Sequence, residues 1–364
     1  MGFKCGLVGL PNVGKSTIFN AVTEAGAEAA NYPFCTIEPN TGMVNVPDPR
    51  LGELEEVHKP QKVIHAVMQF VDIAGLVAGA SKGEGLGNKF LTHIREVDAI
   101  MHVVRCFEDE DITHVEGSID PIRDAEVIET ELILKDLDTL ETTKPKTEKL
   151  ARGKDKDAVA KLSAIEKLLP VLSDGKLAKT VELTEDEEKA MKSLGLLTMK
   201  PLFYCANVLE DDVLDGNEHV EKLKEYAKKQ ESDVVMISGK IEEELTEMEP
   251  EDRSEFLTDL GLSESGLDSI IRNGYSLLGL STYFTAGEKE VRAWTYPTGA
   301  KAPQCAGVIH TDFERGFIRA ETLGYSDFKE HGSWNAAKEK GSVRTEGKEY
   351  VVQDGDIMHF LFNV

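Results

Sequence analysis

The chain has 364 residues, 41% of them hydrophobic, which is enough for buried cores in two or three domains. Its formal net charge of −25 disfavours a protein that coats nucleic acid, because phosphates repel an acidic surface, and no DNA partner is expected. No apolar run reaches membrane-spanning length, residues 1–5 carry no signal-peptide pattern, and Gly6 stands where myristoylation needs Ser or Thr, so a cytoplasmic protein without a membrane partner is expected.

In chain order, the apolar run 5–8 predicts a strand. It leads into Gly9-Leu10-Pro11-Asn12-Val13-Gly14-Lys15-Ser16-Thr17, and residues 16–23 then predict a helix. The spacing G-x-x-x-x-G-K-[ST] between a strand and a helix is that of a phosphate-binding loop. Its glycines let successive N–H groups turn inward toward phosphate oxygens, and the helix N-terminus adds its positive dipole end. Asn12, Val13, Gly14, Lys15, Ser16 and Thr17 are therefore the expected phosphate contacts. Lys15 brings charge to the β- and γ-phosphates, its catalytic role, and the Ser16 hydroxyl is an expected ligand of Mg2+. Thr36, in Pro33-Phe34-Cys35-Thr36, stands where a switch threonine would complete the metal shell; a threonine in an edge strand is the plainer alternative.

Residues 68–72 predict a second strand of the sheet, closed by Asp72-Ile73-Ala74-Gly75. In this D-x-x-G pattern the Asp72 carboxylate holds Mg2+ through water and the Gly75 N–H meets the γ-phosphate. Regulatory GTPases often place a glutamine next, to orient the attacking water, but Leu76 occupies that position and has no hydrogen-bonding side chain. Slow hydrolysis, or a substitute group, is implied. His114, after the acidic run 108–111, is one candidate for that catalytic role; a solvated loop histidine is the bland reading.

Residues 99–107, Leu202–Asn207 and Val234–Ile237 complete five apolar strands with helix-like segments between them, an α/β pattern of mainly parallel sheet with helices on both faces. Ligands of such a sheet sit beyond the carboxyl ends of the strands, where each motif falls. Guanine recognition ordinarily uses N-K-x-D, whereas this chain has Asn207-Val208-Leu209-Glu210, with a longer carboxylate and valine for lysine. A lost matched hydrogen bond costs about 1–3 kcal/mol, enough to remove a guanine preference. Asn207, Val208, Glu210 and Ser238, the last in Ser238-Gly239-Lys240, are the expected base contacts, with ATP favoured over GTP.

Between 118 and 200 apolar residues recur at three and four (Ile128, Leu132, Leu137, Leu140; Leu162, Ile165, Leu169, Leu172), which predicts a pair of long helices inserted into the first domain. Its expected tip, residues 144–167, carries eight basic and four acidic side chains, a local excess that could touch rRNA; a solvated helix pair of mixed charge fits the same counts. The last stretch reads as short strands over 283–286, 292–296, 308–310, 317–320 and 358–362. The domains expected are 1–117 with 201–277, 118–200, and 278–364. Five scattered cysteines, with no CxxC, read as plain thiols.

The motifs at 9–17, 31–40, 72–76, 83–91, 207–210 and 307–313 together resemble the YchF (Obg-like ATPase) family of P-loop proteins across essentially the whole chain. The resemblance implies a G-type nucleotide domain, a helical coiled-coil insertion and a C-terminal β-grasp domain of the TGS type. It also implies hydrolysis of ATP in preference to GTP, and association with ribosomes through the arm and the C-terminal domain. A GTP-dependent translation or assembly factor, and a nucleotide-sensing scaffold for protein partners, remain the alternatives.

Overall fold

The computed structural model describes residues 3–25, 40–73, 86–115 and 117–363. Cys35, Thr36, Gly75 and Leu76 lie outside them. Contacts divide the chain into two units, Met1–Val44 with Gln69–Ile270, and Asn45–Met68 with Ile271–Val364.

The first unit is built on a six-stranded sheet. Its strands are β1 (Phe3–Val8), β2 (Thr41–Asn45), β4 (Val67–Asp72), β5 (Ala99–Arg105), β6 (Leu202–Asn207) and β7 (Val234–Ile237), ordered β2-β4-β1-β5-β6-β7; β3 (Val63–Ile64) belongs to the other sheet. The pairs β1–β5, β5–β6 and β6–β7 are parallel. Every residue of β5 and β6 is buried, which is why both read as mostly apolar runs rather than alternating ones. Chain order reverses on either side of β1, so the loop leaving its carboxyl end opens at the crevice where doubly wound sheets bind ligands.

The insertion is a helix Pro121–Arg152, capped by the Asp120 carboxylate, followed by a helix Lys156–Ser173. Thirty-two residues make the first about 48 Å long. Ile133, Leu140, Ile165, Leu168 and Leu172 share the core between them. At its root, buried Glu129 accepts from Tyr204 Oη at 2.5 Å and Tyr226 Oη at 2.7 Å. Buried Asp136 accepts from the N–H groups of Leu197 and Thr198 at 2.9 and 2.7 Å.

The second unit holds the sheet β11-β10-β12-β8-β9-β3, with β8 (Leu280–Ala286), β9 (Val291–Pro297), β10 (Phe317–Leu323), β11 (Arg344–Glu346) and β12 (Ile357–Phe362). It is mixed: β8–β9 and β10–β12 are antiparallel, β12–β8 and β3–β9 parallel. Tyr283, Tyr296, Phe317 and Phe360 form its aromatic core. Residues 45–68, expected in the nucleotide domain, belong here instead. β3 pairs with β9, and Arg50, oriented by its near neighbour Asp48 at 2.8 Å, donates to Asp354 at 2.6 Å; the pairing and the Asp354 bond join distant positions that no local pattern signals. Residues 308–310 are not a strand but the end of the helix Ala302–Ile309 and its cap. Pro303 in its first turn and the Lys301 N–H bound by Gln304 Oε1 at 2.8 Å start that helix, and its small Ala302, Cys305 and Ala306 pack into the core. The four described cysteines are free and buried, and burial pushes Cys106 and Cys305 up to about 12, so both stay protonated thiols.

Candidate nucleotide-binding site

The loop after β1 takes the shape its glycines permit. At Gly9 a Cβ would lie 2.7 Å from the Val103 carbonyl of β5, so only glycine lets the loop leave the sheet here. Gly14 has φ +88°, and a Cβ there would stand 2.1 Å from Asn207 Nδ2. The helix Lys15–Ala25 begins at once, with Ile18 N–H bound to Gly14 O at 3.1 Å, so its free N-terminal amides face the loop's concavity.

A cavity of about 740 Å3 opens beside this loop. Asn12, Gly14, Lys15, Ser16 and Thr17 line one end, and Asn207, Val208, Leu209, Glu210 and Ser238 the other. The structure thus brings together the expected phosphate and base residues, while Val13 lies behind the loop and is buried. Lys15 Nζ is paired with the Asp72 carboxylate, both side chains largely shielded. The expected cation for phosphate and the expected acid for the metal are neighbours across 57 residues of sequence. An exposed serine hydroxyl beside a carboxylate is an oxygen donor set that fits Mg2+. Among the described residues no three His, Cys, Asp or Glu side chains cluster as a metal site.

Asn207 is a clamp. Its Nδ2 donates to Val13 O and its Oδ1 accepts from Gly239 N–H, each at 3.0 Å and buried. One amide therefore ties the phosphate loop to the loop after β7. A carboxamide has two donor hydrogens and two acceptor lone pairs, so one N–H is left to meet a ring nitrogen such as N7. Adenine and guanine share that acceptor, and Asn207 can anchor a purine without telling the two apart. Gly239 is open to an alanine: a Cβ would meet Asn207 and Thr17 at 3.5 Å, ordinary contact. Glu210, at the guanine-reading position, is paired with Lys240 at 2.9 Å. Ser238 Oγ is buried with no hydrogen-bond partner among the described residues, an orphan that a ligand in this cavity would satisfy.

His114 does not line the cavity. Expected in a solvated stretch, it is buried, its Nε2 2.8 Å from the Asp124 carboxylate at the start of the long helix. The preceding residue reaches the phosphate loop, Asn12 Nδ2 donating to Thr113 O at 3.1 Å. Sequence reasoning missed the base-end wall formed by Phe107, Asp109 and Ile112. Its only signal was an arginine, Arg105, closing a strand that is apolar but for His102.

A P-loop at the end of the first strand of a doubly wound sheet, with an aspartate beside its lysine, defines a P-loop nucleoside triphosphatase. Two family models match, "50S ribosome-binding GTPase" over residues 4–207 and YchF-GTPase_C, "Protein of unknown function (DUF933)", over residues 280–363. The "Ribosome-binding ATPase YchF" of Bacillus subtilis is 58% identical and that of Escherichia coli O157:H7 57% identical, each over the full length of both chains. The solved "Schizosaccharomyces pombe YchF GTPase" is 41% identical, covers 99% of this chain and 98% of its own, and superposes with a TM-score of 0.89. The chain belongs to the YchF family.

Proposed function

We propose that the chain is a ribosome-associated ATPase that binds ATP with Mg2+, hydrolyses it slowly in preference to GTP, and acts as a nucleotide-dependent switch. The observation that carries this reading is the pairing of Lys15 with Asp72 at the mouth of a P-loop cavity whose far end lacks the guanine-reading lysine and aspartate. Lys15 and the loop amides hold the β- and γ-phosphates, and Ser16 and Asp72 hold the metal, with Thr36 and Gly75 assigned to it and to the γ-phosphate by sequence alone. Bound Mg2+ neutralises charge on the phosphate chain. The ATP preference rests on Glu210 being longer than aspartate and engaged by Lys240, which withdraws the paired acceptors that guanine's N1–H and 2-amino group require, and on Val208 in place of the lysine that would lie along the ring.

Ribosome association is supported by the names of the relatives and by the tip of the helical hairpin. Lys146, Lys149, Arg152, Lys154 and Lys156 are all exposed around the turn, whereas Lys161 and Lys167 are drawn in to Ser193 and Glu187. A basic tip on an acidic body is the charge arrangement for touching rRNA phosphate. The test is ATP and GTP affinity and phosphate release, measured side by side with and without purified ribosomes, for the unaltered chain and Lys15→Ala. Slow release from ATP, accelerated by ribosomes and abolished by Lys15→Ala, is expected. A GTP rate equal to or above the ATP rate would favour the alternative that the word GTPase in three of the matched names suggests.

A further inference from the structure

Arg105 is the last residue of β5 and 1% exposed. Its guanidinium folds back under the chain that follows. Nε donates to Phe107 O at 3.0 Å, Nη1 to Ile112 O at 2.8 Å and Nη2 to Asp109 O at 3.2 Å. Its Cζ lies 4.5 Å from the centre of the Phe107 ring. Its three hydrogen bonds all go to main-chain carbonyls, those of the three residues that form the base-end wall of the cavity. An arginine buried this way is a mould: a planar fork with donors in fixed directions sets where three carbonyls, and hence three side chains, stand. In β5–β6 register Arg105 is the neighbour of Asn207, and Cys106 N–H donates to Asn207 O at 2.8 Å, so the wall is built directly beside the purine anchor.

We propose that Arg105 is a positioning residue that sets the width of the nucleobase slot and thereby the preference among nucleoside triphosphates. The proposal rests on the reading of this cavity as a nucleotide site. Lysine cannot replace it, because one ammonium group does not span carbonyls from 107 to 112. Loss of the fork leaves the buried Phe107 carbonyl and the part-buried pair at 109 and 112 without the donors that place them, and the wall moves to recover partners.

The test uses the full chain with Arg105→Lys and Arg105→Gln, and titrates Mg-ATP, Mg-GTP and inorganic tripolyphosphate, which has the phosphates and no base. Both variants are expected to weaken ATP binding about tenfold or more, to leave tripolyphosphate within about twofold, and to bring the ATP-to-GTP ratio toward one. KM for ATP should rise while kcat at saturation holds. Equal losses for ATP and tripolyphosphate would make Arg105 a general fold residue and overturn the proposal, as would full ATP affinity in Arg105→Lys. Hydrogen exchange on the unaltered chain decides the matter even if the variants misfold: ATP should protect residues 107–112 and tripolyphosphate should not, and equal protection by both overturns it. An unaltered chain that binds ATP no better than tripolyphosphate removes the nucleobase reading itself, a failure distinct from that of Arg105.

Discussion

Replacing Asn207 with alanine tests whether a single amide holds the phosphate loop in shape. The side chain makes two buried hydrogen bonds of 3.0 Å, one to each of two loops. Alanine leaves Val13 O and Gly239 N–H facing a hole. Each unpaired buried group costs about 1–3 kcal/mol, so the sum is about 2–6 kcal/mol, lowered where water enters. If about 2 kcal/mol of this is felt by bound phosphate as disorder of the loop amides, affinity falls about 30-fold. The aspartate variant should be no better, since its carboxylate still accepts from Gly239 but opposes the Val13 carbonyl, acceptor against acceptor. Calorimetric titration with Mg-ATP and with inorganic tripolyphosphate is the assay, alongside thermal unfolding. Tripolyphosphate should weaken because the damage lies in the phosphate loop, and ATP by that factor and somewhat more, because the amide's second N–H also faces the purine. An Asn207→Ala chain that keeps its tripolyphosphate affinity and loses only ATP would show Asn207 to be a base reader, and the clamp would be refuted.

Glu242 is buried and accepts the Gly266 N–H at 2.8 Å, yet burial outweighs its amide partners and pushes its carboxyl from 4.5 up to about 7. A carboxyl raised in the folded state favours folding below its unfolded pKa, and that contribution is lost as pH rises through about 7. Glu242→Gln should therefore gain about 1–3 kcal/mol over the parent at pH 8 and little at pH 4.5 in urea unfolding; a pH-independent difference would sink the assignment. Asp136→Ala strips the partners from two buried amides at the root of the arm, and a loss of about 2–4 kcal/mol is expected in the same unfolding experiment. A loss below about 0.5 kcal/mol would mean that water replaces the carboxylate at no penalty.

The central strand 202–207 was legible because it is buried on both faces and carries a nearly continuous apolar signal, and the edge strand 234–237, half-buried at alternate positions, was legible because Val-Val-Met-Ile is apolar throughout; both end at residues the structure also gives. The phosphate loop was legible because its chemistry fixes both residue type and spacing. The strand Thr41–Asn45 was missed for the opposite reason: it is short, alternates buried and half-buried positions, and contains a glycine. The end of the helix over 302–309 read as a strand, 308–310, because Val308 and Ile309 are β-branched, while the signals that make it helical lie at Lys301, Pro303 and Gln304. The exchange of 45–68 into the second unit, and the Arg105 wall, depend on pairings between positions far apart in sequence or on a guanidinium seeking carbonyls, neither of which leaves a periodic trace.

The base-end wall runs straight into the root of the arm. Arg105 holds Ile112 O, Asn12 holds Thr113 O, and His114 meets Asp124 in the first turn of the helix Pro121–Arg152. The cavity wall thus reaches the helix through short polar links, the last of them buried. Yet the helix is not free to pivot there, because Glu129 is bound to Tyr204 of β6 and Asp136 to residues 197 and 198. Three buried carboxylates at 124, 129 and 136 fix over three turns of it to the nucleotide domain, so a displacement of the wall must carry that segment as a rigid piece. Compliance begins beyond Asp136, and the first interruption of the helical ladder is Pro145, whose ring lacks an N–H and crowds the preceding turn. A tilt of 5° passed along about 48 Å of helix moves the tip by about 4 Å, whereas bending confined to the segment after Pro145 moves it by far less. A nucleotide signal read at the basic tip must therefore travel through the anchored root and not arise at the proline.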